Sequence, residues 1–563
     1  MASGTPSLAT TPGSKQLTIN GQPFLMRAAE LQNSSMTSAD YMHRIWPKLV
    51  EGNINTVLGC VTWEQIEPVE GRFDFSELDR VIQGARQNGV RLVLLWFGSF
   101  KNGMSTYCPG WVKADSKRFP RAEVCDADGK LRVGDVLSIF NPEAAEADAK
   151  AFHHLMEHIR KVDQGHYTVI MVQVENEVGL LGDSRDRSTA AEHVFRSPVP
   201  KTLIESLNRD WDQLHELLRV NLDHFREGPP QGQDSWEGIF GKGKRTDELF
   251  MAYHYALYLE KVASSGKAAY PLPMYTNVWM NYAGDDAEND FPLAVGGGGK
   301  PGDYPSGGGV PNVLDVWQIF APSLDFVAPD VYLNNYTSMC GHYRHRGQPL
   351  FIPEQRRDEY GARRIWAAYG SFQALAASPF GIDTLEPAEN PYRRHYELLT
   401  KVSTHVLAAQ RNPGSMVGFF FDELTETGAD PSPPFTANFG RWELRIERSF
   451  VFGRPSPGYG LVIHLGEARF LLVGEGFQVK FGVQGPSAAA FVGILSFTEK
   501  EVVNAKTGEM RSWRRLNGDE TRGGLAAIMP SQSPDYGSFP ICVTIPSRTR
   551  IAEVEAYCLE RQK

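Results

Sequence analysis

TVIMVQVENEVG, Thr168 to Gly179, is a continuous apolar run that breaks off into Glu175, Asn176 and Glu177. Val, Ile and Met in unbroken succession read as a strand buried on both faces, the kind of which parallel sheets are made. In such sheets ligands are met at the carboxyl ends of the strands. Two carboxylates and an amide at that end are costly to bury unless they are solvated, paired or used, so chemistry is expected there.

Working outward, the same texture recurs. LTINGQPFLMRAAE gives a hairpin with Asn20-Gly21 as its turn, then a first strand ending at Glu30. A helix over Ser38 to Asn53 leads to NINTVLGCVTW, a second strand ending at Trp63. FSELDRVIQGARQNG is the next helix, VRLVLLWFG a third strand ending at Trp96, and Pro142 to Val162 the helix that enters the opening stretch, the fourth strand. Tyr270 to Trp279, Leu324 to Tyr332, Gln348 to Glu354 and Ser378 to Glu386 continue as strands five to eight. Eight strand–helix units over about 400 residues, with no GxGxxG after the first strand, predict a (β/α)8 TIM barrel rather than an open dinucleotide-binding sheet.

Residues 1–16 read as a flexible leader, and 17–412 as the barrel. Between strands four and five lies a helical insertion, about 201–267. After strand five comes AVGGGGKPGDYPSGGGVPN, Ala294 to Asn312, which lacks the phosphate-loop spacing and reads as a mobile loop on the catalytic face. After Asn412 the texture turns to period-two patches such as RWELRIERSFVF and ARFLLVGEGFQVKFGV, so 413–563 is expected to be an antiparallel β-sandwich.

Composition narrows the partners. The chain has 563 residues, 42% of them hydrophobic, enough for a large core and more than one domain. Its 57 basic and 67 acidic residues leave a net charge of −10 without a basic run, which argues against nucleic acid or an anionic membrane as partner. Eleven Trp, 20 Tyr and 31 Phe supply rings on which sugars stack. The six cysteines are widely spaced and form no zinc or disulfide pattern. No apolar run reaches membrane-spanning length. The polar leader lacks a signal-peptide core, so a periplasmic or secreted location would require that a native signal had been removed ahead of it; otherwise the reading is cytoplasmic. A homo-oligomer is compatible with these features.

On a closed barrel the strand ends converge, bringing Glu30, Glu177, Glu354 and Asp383 toward one mouth. Strands four and seven face each other across that mouth, so Glu177 and Glu354 form the kind of carboxylate pair that glycosidic bond hydrolysis requires, one protonated and one ionised. Alternation sends Glu175 to the same side as Glu177, with Glu175 deeper and in a supporting or substrate-orienting role.

QVENEVG, WEQIEPVEGRFDF (Trp63 to Phe75) and PLFIPE together resemble the retaining (β/α)8-barrel glycoside hydrolases, most closely a divergent branch of the family 35 β-galactosidases, over roughly residues 17–410. The resemblance implies that Glu177 is the general acid/base, Asn176 the holder of the sugar 2-hydroxyl, Glu354 the nucleophile and Tyr332 its hydrogen-bond donor. It implies no cofactor and no metal, and a carbohydrate, a terminal β-galactoside, as substrate. Two segments depart from the family. AAELQNSS stands where Gly-Glu-Ile-His is usual, and LLWFGSFKNG where Cys-Ala-Glu-Trp is usual. Glu30, Trp96 and Lys101 are the candidate replacement contacts, with Trp279 as a further stacking surface. These departures keep open another β-glycoside, an internal glycan bond or an arabinoside as substrate, and a non-catalytic carbohydrate-binding protein outside the enzyme class.

Two further features read as architecture. Trp63 with Glu67-Pro68 fixes a loop after strand two. His154, Glu157 and His158 match HxxEH, a metalloprotease pattern, but lie on the helix leading into strand four, outside the barrel and at the wrong end for a site.

Overall fold

The computed structural model describes residues 4–126, 128–228, 234–282, 297–449, 455–485, 491–532 and 547–560. Eight parallel strands form the barrel: β1 (Ala28–Glu30), β2 (Thr56–Thr62), β3 (Arg91–Lys101), β4 (Val169–Asn176), β5 (Met274–Trp279), β6 (Phe326–Asp330), β7 (Ile352–Gln355) and β8 (Ala377–Pro379). The first six make one curled sheet in chain order, and β7 and β8 pair with each other. The ring then closes by two different devices. Val331, just past β6, bridges in parallel to Gln355 and donates its amide to Glu354 O. Between β8 and β1 the Tyr396 hydroxyl lies 2.6 Å from the Ala28 carbonyl and 3.0 Å from that of Ala377. Every residue of β2 and β4 is buried, as unbroken apolar runs demand.

The helices α1 (Ala39–Glu51), α2 (Ser76–Gln87), α3 (Pro142–Asp163), α4 (Lys244–Ala269), α5 (Leu314–Phe320), α6 (Tyr336–His342), α7 (Glu359–Tyr369) and α8 (Tyr392–Gln410) follow the strands in turn. Their starts are written locally. Ser38, Asn141 and Asp358 accept the amides of Tyr41, Glu143 and Gly361, and Pro142 occupies the first turn of α3. No described helix is long and apolar enough to cross a membrane.

Four expectations are corrected. The described part of the leader is built into a sheet: Ser7–Thr11 and Ser14–Ile19 pair antiparallel, and the latter continues through the Asn20-Gly21 turn to Gln22–Pro23. Much of the helical insertion is the barrel's own fourth helix, since α4 packs along α3 with the Phe152 ring so close to Gly266 that a Cβ there would sit 2.2 Å from it. The described part of the glycine-rich segment, from Gly297, is packed rather than mobile: residues 304–317 are buried and Ser306 bridges to Leu180. Its glycines admit backbone, since a Cβ on Gly308 would lie 2.6 Å from Val178 O. Residues 294–296 lie outside the described ones. Finally, β8 ends at Pro379, and Asp383 turns away into a clamp on the segment after β1, accepting from the Gln32 amide and the Ser35 hydroxyl.

Beyond α8 the chain forms two antiparallel sheets packed face to face. Among the described residues one has six strands, starting at the edge with Met416–Phe421, and the other has four, among them Trp442–Arg448 and Phe477–Val483. Phe419, Phe421, Trp442, Phe470 and Phe477 dominate the core between them. The edge strand docks on α7, where Gly418 lies so near Trp366 that a Cβ would meet its carbonyl at 1.9 Å, and Arg364 pairs with Asp422 at 2.7 Å.

Candidate active site

At the tip of β4 the backbone leaves the extended conformation twice: φ is 61° at Glu175 and 45° at Glu177. Left-handed geometry is unfavourable for both residues and persists because the surroundings impose it. Asn277 Oδ1 accepts the Glu177 amide at 2.9 Å, and the amides of Asn102 and Gly103 reach the carbonyls of Asn176 and Glu177. The kinks break the strict alternation expected of a strand. Glu177 turns into the barrel mouth and Glu175 turns out of it.

In the mouth, carboxylate oxygens of Glu177, Asp330 and Glu354 lie within 4.8 Å of one another. Glu354 accepts the Tyr332 hydroxyl at 2.8 Å and Asn277 Nδ2 at 3.4 Å. Asn277 Nδ2 also donates to Asp330 Oδ2 at 2.8 Å. Lys101 donates from Nζ to Asn176 Oδ1 at 2.9 Å. Glu30 completes the ring, 1% exposed, and among the described residues neither of its carboxyl oxygens has a hydrogen-bond partner. The same holds for Asn176 Nδ2. Buried polar atoms without partners are uncommon, and three of them around one cleft mark where hydroxyl groups would be held.

The electrostatics separate the carboxyls. Burial, then the charge of Glu354, pushes Glu177 up to about 7, against the opposing pull of the Lys101 ammonium. Burial and the same neighbours hold Glu30 and Asp330 well above the carboxylate range, with Asp330 also near enough to share a proton with Glu177. Burial pulls Lys101 down, but Glu354, Glu177, Glu30 and Asp330 together leave it raised and charged. Tyr332 is pushed up by burial and by Glu354, so it remains a donor. Among the described residues, Glu177, Asp330 and Glu354 are the group that could hold a cation, although the neighbouring ammonium works against one.

The sequence-predicted residues thus divide. The structure brings Glu30, Lys101, Asn176, Glu177, Tyr332 and Glu354 together, and leaves half-buried Trp279 at the rim with its indole edge by Gly297. Trp96 is corrected as a contact, and Glu175 is corrected in the side it faces, which excludes the substrate-orienting role and leaves the supporting one. The Trp96 indole is fully buried outside the ring, donating to Asp148 at 2.9 Å and packed on Phe152, so it presents no face to a ligand. The Glu175 carboxylate accepts the amides of Ser99 and Phe100 behind β3. Asp330 and Asn277 are the members that sequence reasoning missed. Asp330 carried the signal that singled out Glu177, a carboxylate closing an apolar strand in FVAPDVY.

The architectural readings fit their surroundings. Trp63 donates to Glu67 at 2.8 Å, whose other oxygen holds the Gly71 amide. His158 bonds Asp79 at 2.6 Å and stacks on Phe75, tying α3 to α2 outside the barrel.

Residues 36–214 match the family model described as Glyco_hydro_42, Beta-galactosidase, and residues 392–528 match a Domain of unknown function, DUF5597. The matched galactosidase family is therefore 42 and not 35. No curated protein matches the chain. Similar solved structures include the β-galactosidase of the psychrophilic Marinomonas ef1 (14% identity, 68% of this chain and 60% of that one, TM-score 0.44). Others are that of Bacillus circulans sp. alkalophilus (15%, 68% and 57%, 0.44) and the catalytic domain of β-amylase from Paenibacillus polymyxa (11%, 65% and 96%, 0.45). The chain spans 60% or less of the length of these two β-galactosidases.

Proposed function

We propose that this chain is a retaining glycoside hydrolase that removes a terminal β-linked sugar, a β-galactoside in the first instance. The observation that carries the reading is the pairing of two neighbouring carboxyls in different surroundings. Glu177 is tuned to about 7, and Glu354, within 4.8 Å of it, accepts from a phenol and an amide. Carboxyls about 5–5.5 Å apart suit double displacement, whereas inverting enzymes hold theirs about 6.5–9.5 Å apart to admit a water.

Glu354 attacks the anomeric carbon as Glu177 protonates the departing glycosidic oxygen, leaving the sugar esterified to Glu354. Glu177, now ionised, takes a proton from water, whose oxygen attacks the same carbon and frees Glu354. Asn176 Nδ2 donates to the sugar 2-hydroxyl, Glu30 accepts from ring hydroxyls further round, and the Trp279 face lies against the sugar at the rim. The choice of a β-galactoside is supported by the family 42 β-galactosidase model over residues 36–214 and by the motifs QVENEVG, WEQIEPVEGRFDF and PLFIPE. The segment LLWFGSFKNG, which carries Lys101 and lacks the glutamate usual in family 35, favours a second reading in which another β-glycoside is the preferred substrate.

A panel of nitrophenyl glycosides tests this directly. Turnover of a β-glycoside that Glu354→Gln abolishes is the expected result. Sugar binding without turnover by the native chain would overturn it in favour of a binding protein.

A further inference from the structure

Behind the active site, on the outer face of β3, lies a second pair of carboxyls that the chemistry above does not use. Asp148 of α3 and Glu175 of β4 are both fully buried. They converge on a single amide: Ser99 N donates to Asp148 Oδ2 at 3.0 Å and to Glu175 Oε1 at 3.1 Å. Phe100 N adds a bond to Glu175 Oε2 at 2.7 Å. Asp148 further accepts the Ser99 hydroxyl at 2.6 Å and the Trp96 indole at 2.9 Å, and the Ser99 hydroxyl meets Tyr258 of α4 at 2.7 Å. Gly98 leaves room for this cluster, since a Cβ there would lie 2.5 Å from Glu175 Oε1.

The amides held in this way belong to a bulge. Trp96 pairs with Val174, and the next pair is Lys101 with Asn176, so β3 takes five steps where β4 takes two. The extra length re-aims the chain as bulges do. It brings Lys101 level with Asn176, where its ammonium bonds Asn176 and faces Glu177.

We propose that Glu175 and Asp148 are positioning residues that clamp the β3 bulge and thereby hold the Lys101 ammonium in the active site, where it sets the acidity of Glu177. Burial and the adjacent Asp148 hold Glu175 well above the carboxylate range, so the pair contains a proton and is not two bare charges. The groups facing Glu177 are Glu354, Asp330, Glu30 and Lys101. Lys101 is the cation of this set and lowers the Glu177 pKa that burial and Glu354 raise. The inference rests on the reading of Glu177 as the acid.

The test is the pH–rate profile on a β-glycoside that the native protein hydrolyses. Glu175→Met fills the same space but accepts no amide. It should lower kcat by up to about 10²-fold, the scale on which small displacements act. It should also move the basic limb upward, to where Lys101→Met moves it, with the double variant adding nothing. Glu175→Gln, which mimics the protonated acid, should recover most of the rate and the native limb. If Glu175→Met does not fold, Ser99→Ala, which removes only the hydroxyl between Asp148 and Tyr258, must move the limb in the same direction. A limb that Lys101→Met moves while Glu175→Met, or in its place Ser99→Ala, leaves it fixed would overturn the clamp. A native profile without a basic limb would instead overturn the role of Glu177.

Discussion

The Tyr332 hydroxyl donates to Glu354 Oε2 at 2.8 Å, from a side chain that stands two residues beyond the end of β6. A donor fixed on a nucleophilic carboxylate orients it and then follows its charge as the sugar ester forms and breaks. Tyr332→Phe should therefore lower kcat by roughly 10²-fold with little change in KM, the pattern for a preorganised donor. Steady-state kinetics on one nitrophenyl glycoside decide it. A rise in KM alone would make Tyr332 a binding group.

Asp330 is held neutral by burial and by the charges of Glu354 and Glu177. Its neutral isostere should be tolerated, so Asp330→Asn is expected to keep kcat within about tenfold of native. Asp330→Ala removes a partner that lowers the pKa of Glu177. The basic limb of the pH–rate profile should then move upward. A loss in Asp330→Asn as large as in Glu177→Gln would show that ionised Asp330 is required.

Stability should fall as the pH rises. Glu30, Glu177 and Asp330 all have folded-state values above their unfolded ones. Their contribution is fully present below about pH 4.5, the ordinary range of a carboxyl, and for Glu177 it is lost as pH rises through about 7. Glu30→Gln cannot ionise, so its Tm should exceed the native Tm by more at pH 8 than at pH 5. Thermal unfolding at the two pH values checks this, and an equal difference at both would contradict it.

Much of this could be read from sequence because a parallel barrel writes its strands as solid apolar runs and its chemistry at their ends. Glu177 and Glu354 each close such a run, and so does Asp330 in FVAPDVY, which is equally legible. Glu175 and Trp96 were misplaced for different reasons. For Glu175, strict alternation assumes extended backbone, and the left-handed turns at Glu175 and Glu177 exchange inside for outside; Trp96 pairs regularly with Val174 ahead of the bulge, and its ring reaches Asp148 outside the barrel. The glycine-rich segment was misread because composition does not distinguish glycine used for freedom from glycine used for close approach. At Gly302, Gly307 and Gly308 it is close approach.

The same distinction predicts the cost of altering the domain junction. Gly418→Ala would drive a methyl into the Trp366 carbonyl, 1.9 Å away. Overpacking against backbone should cost at least about 1–3 kcal/mol, read as a lower urea midpoint. A midpoint equal to native would show that the edge strand docks loosely on α7.

The central claim is that Glu354 becomes covalently joined to the sugar. A 2-deoxy-2-fluoro glycoside with a good leaving group, matched to the best substrate, should arrest the enzyme at that stage. Peptide mass spectrometry of the arrested protein should then find the added fluorosugar on the peptide carrying Glu354, at one equivalent per chain. Normal turnover of the parent glycoside with no adduct, or an adduct on another carboxylate, would contradict the account.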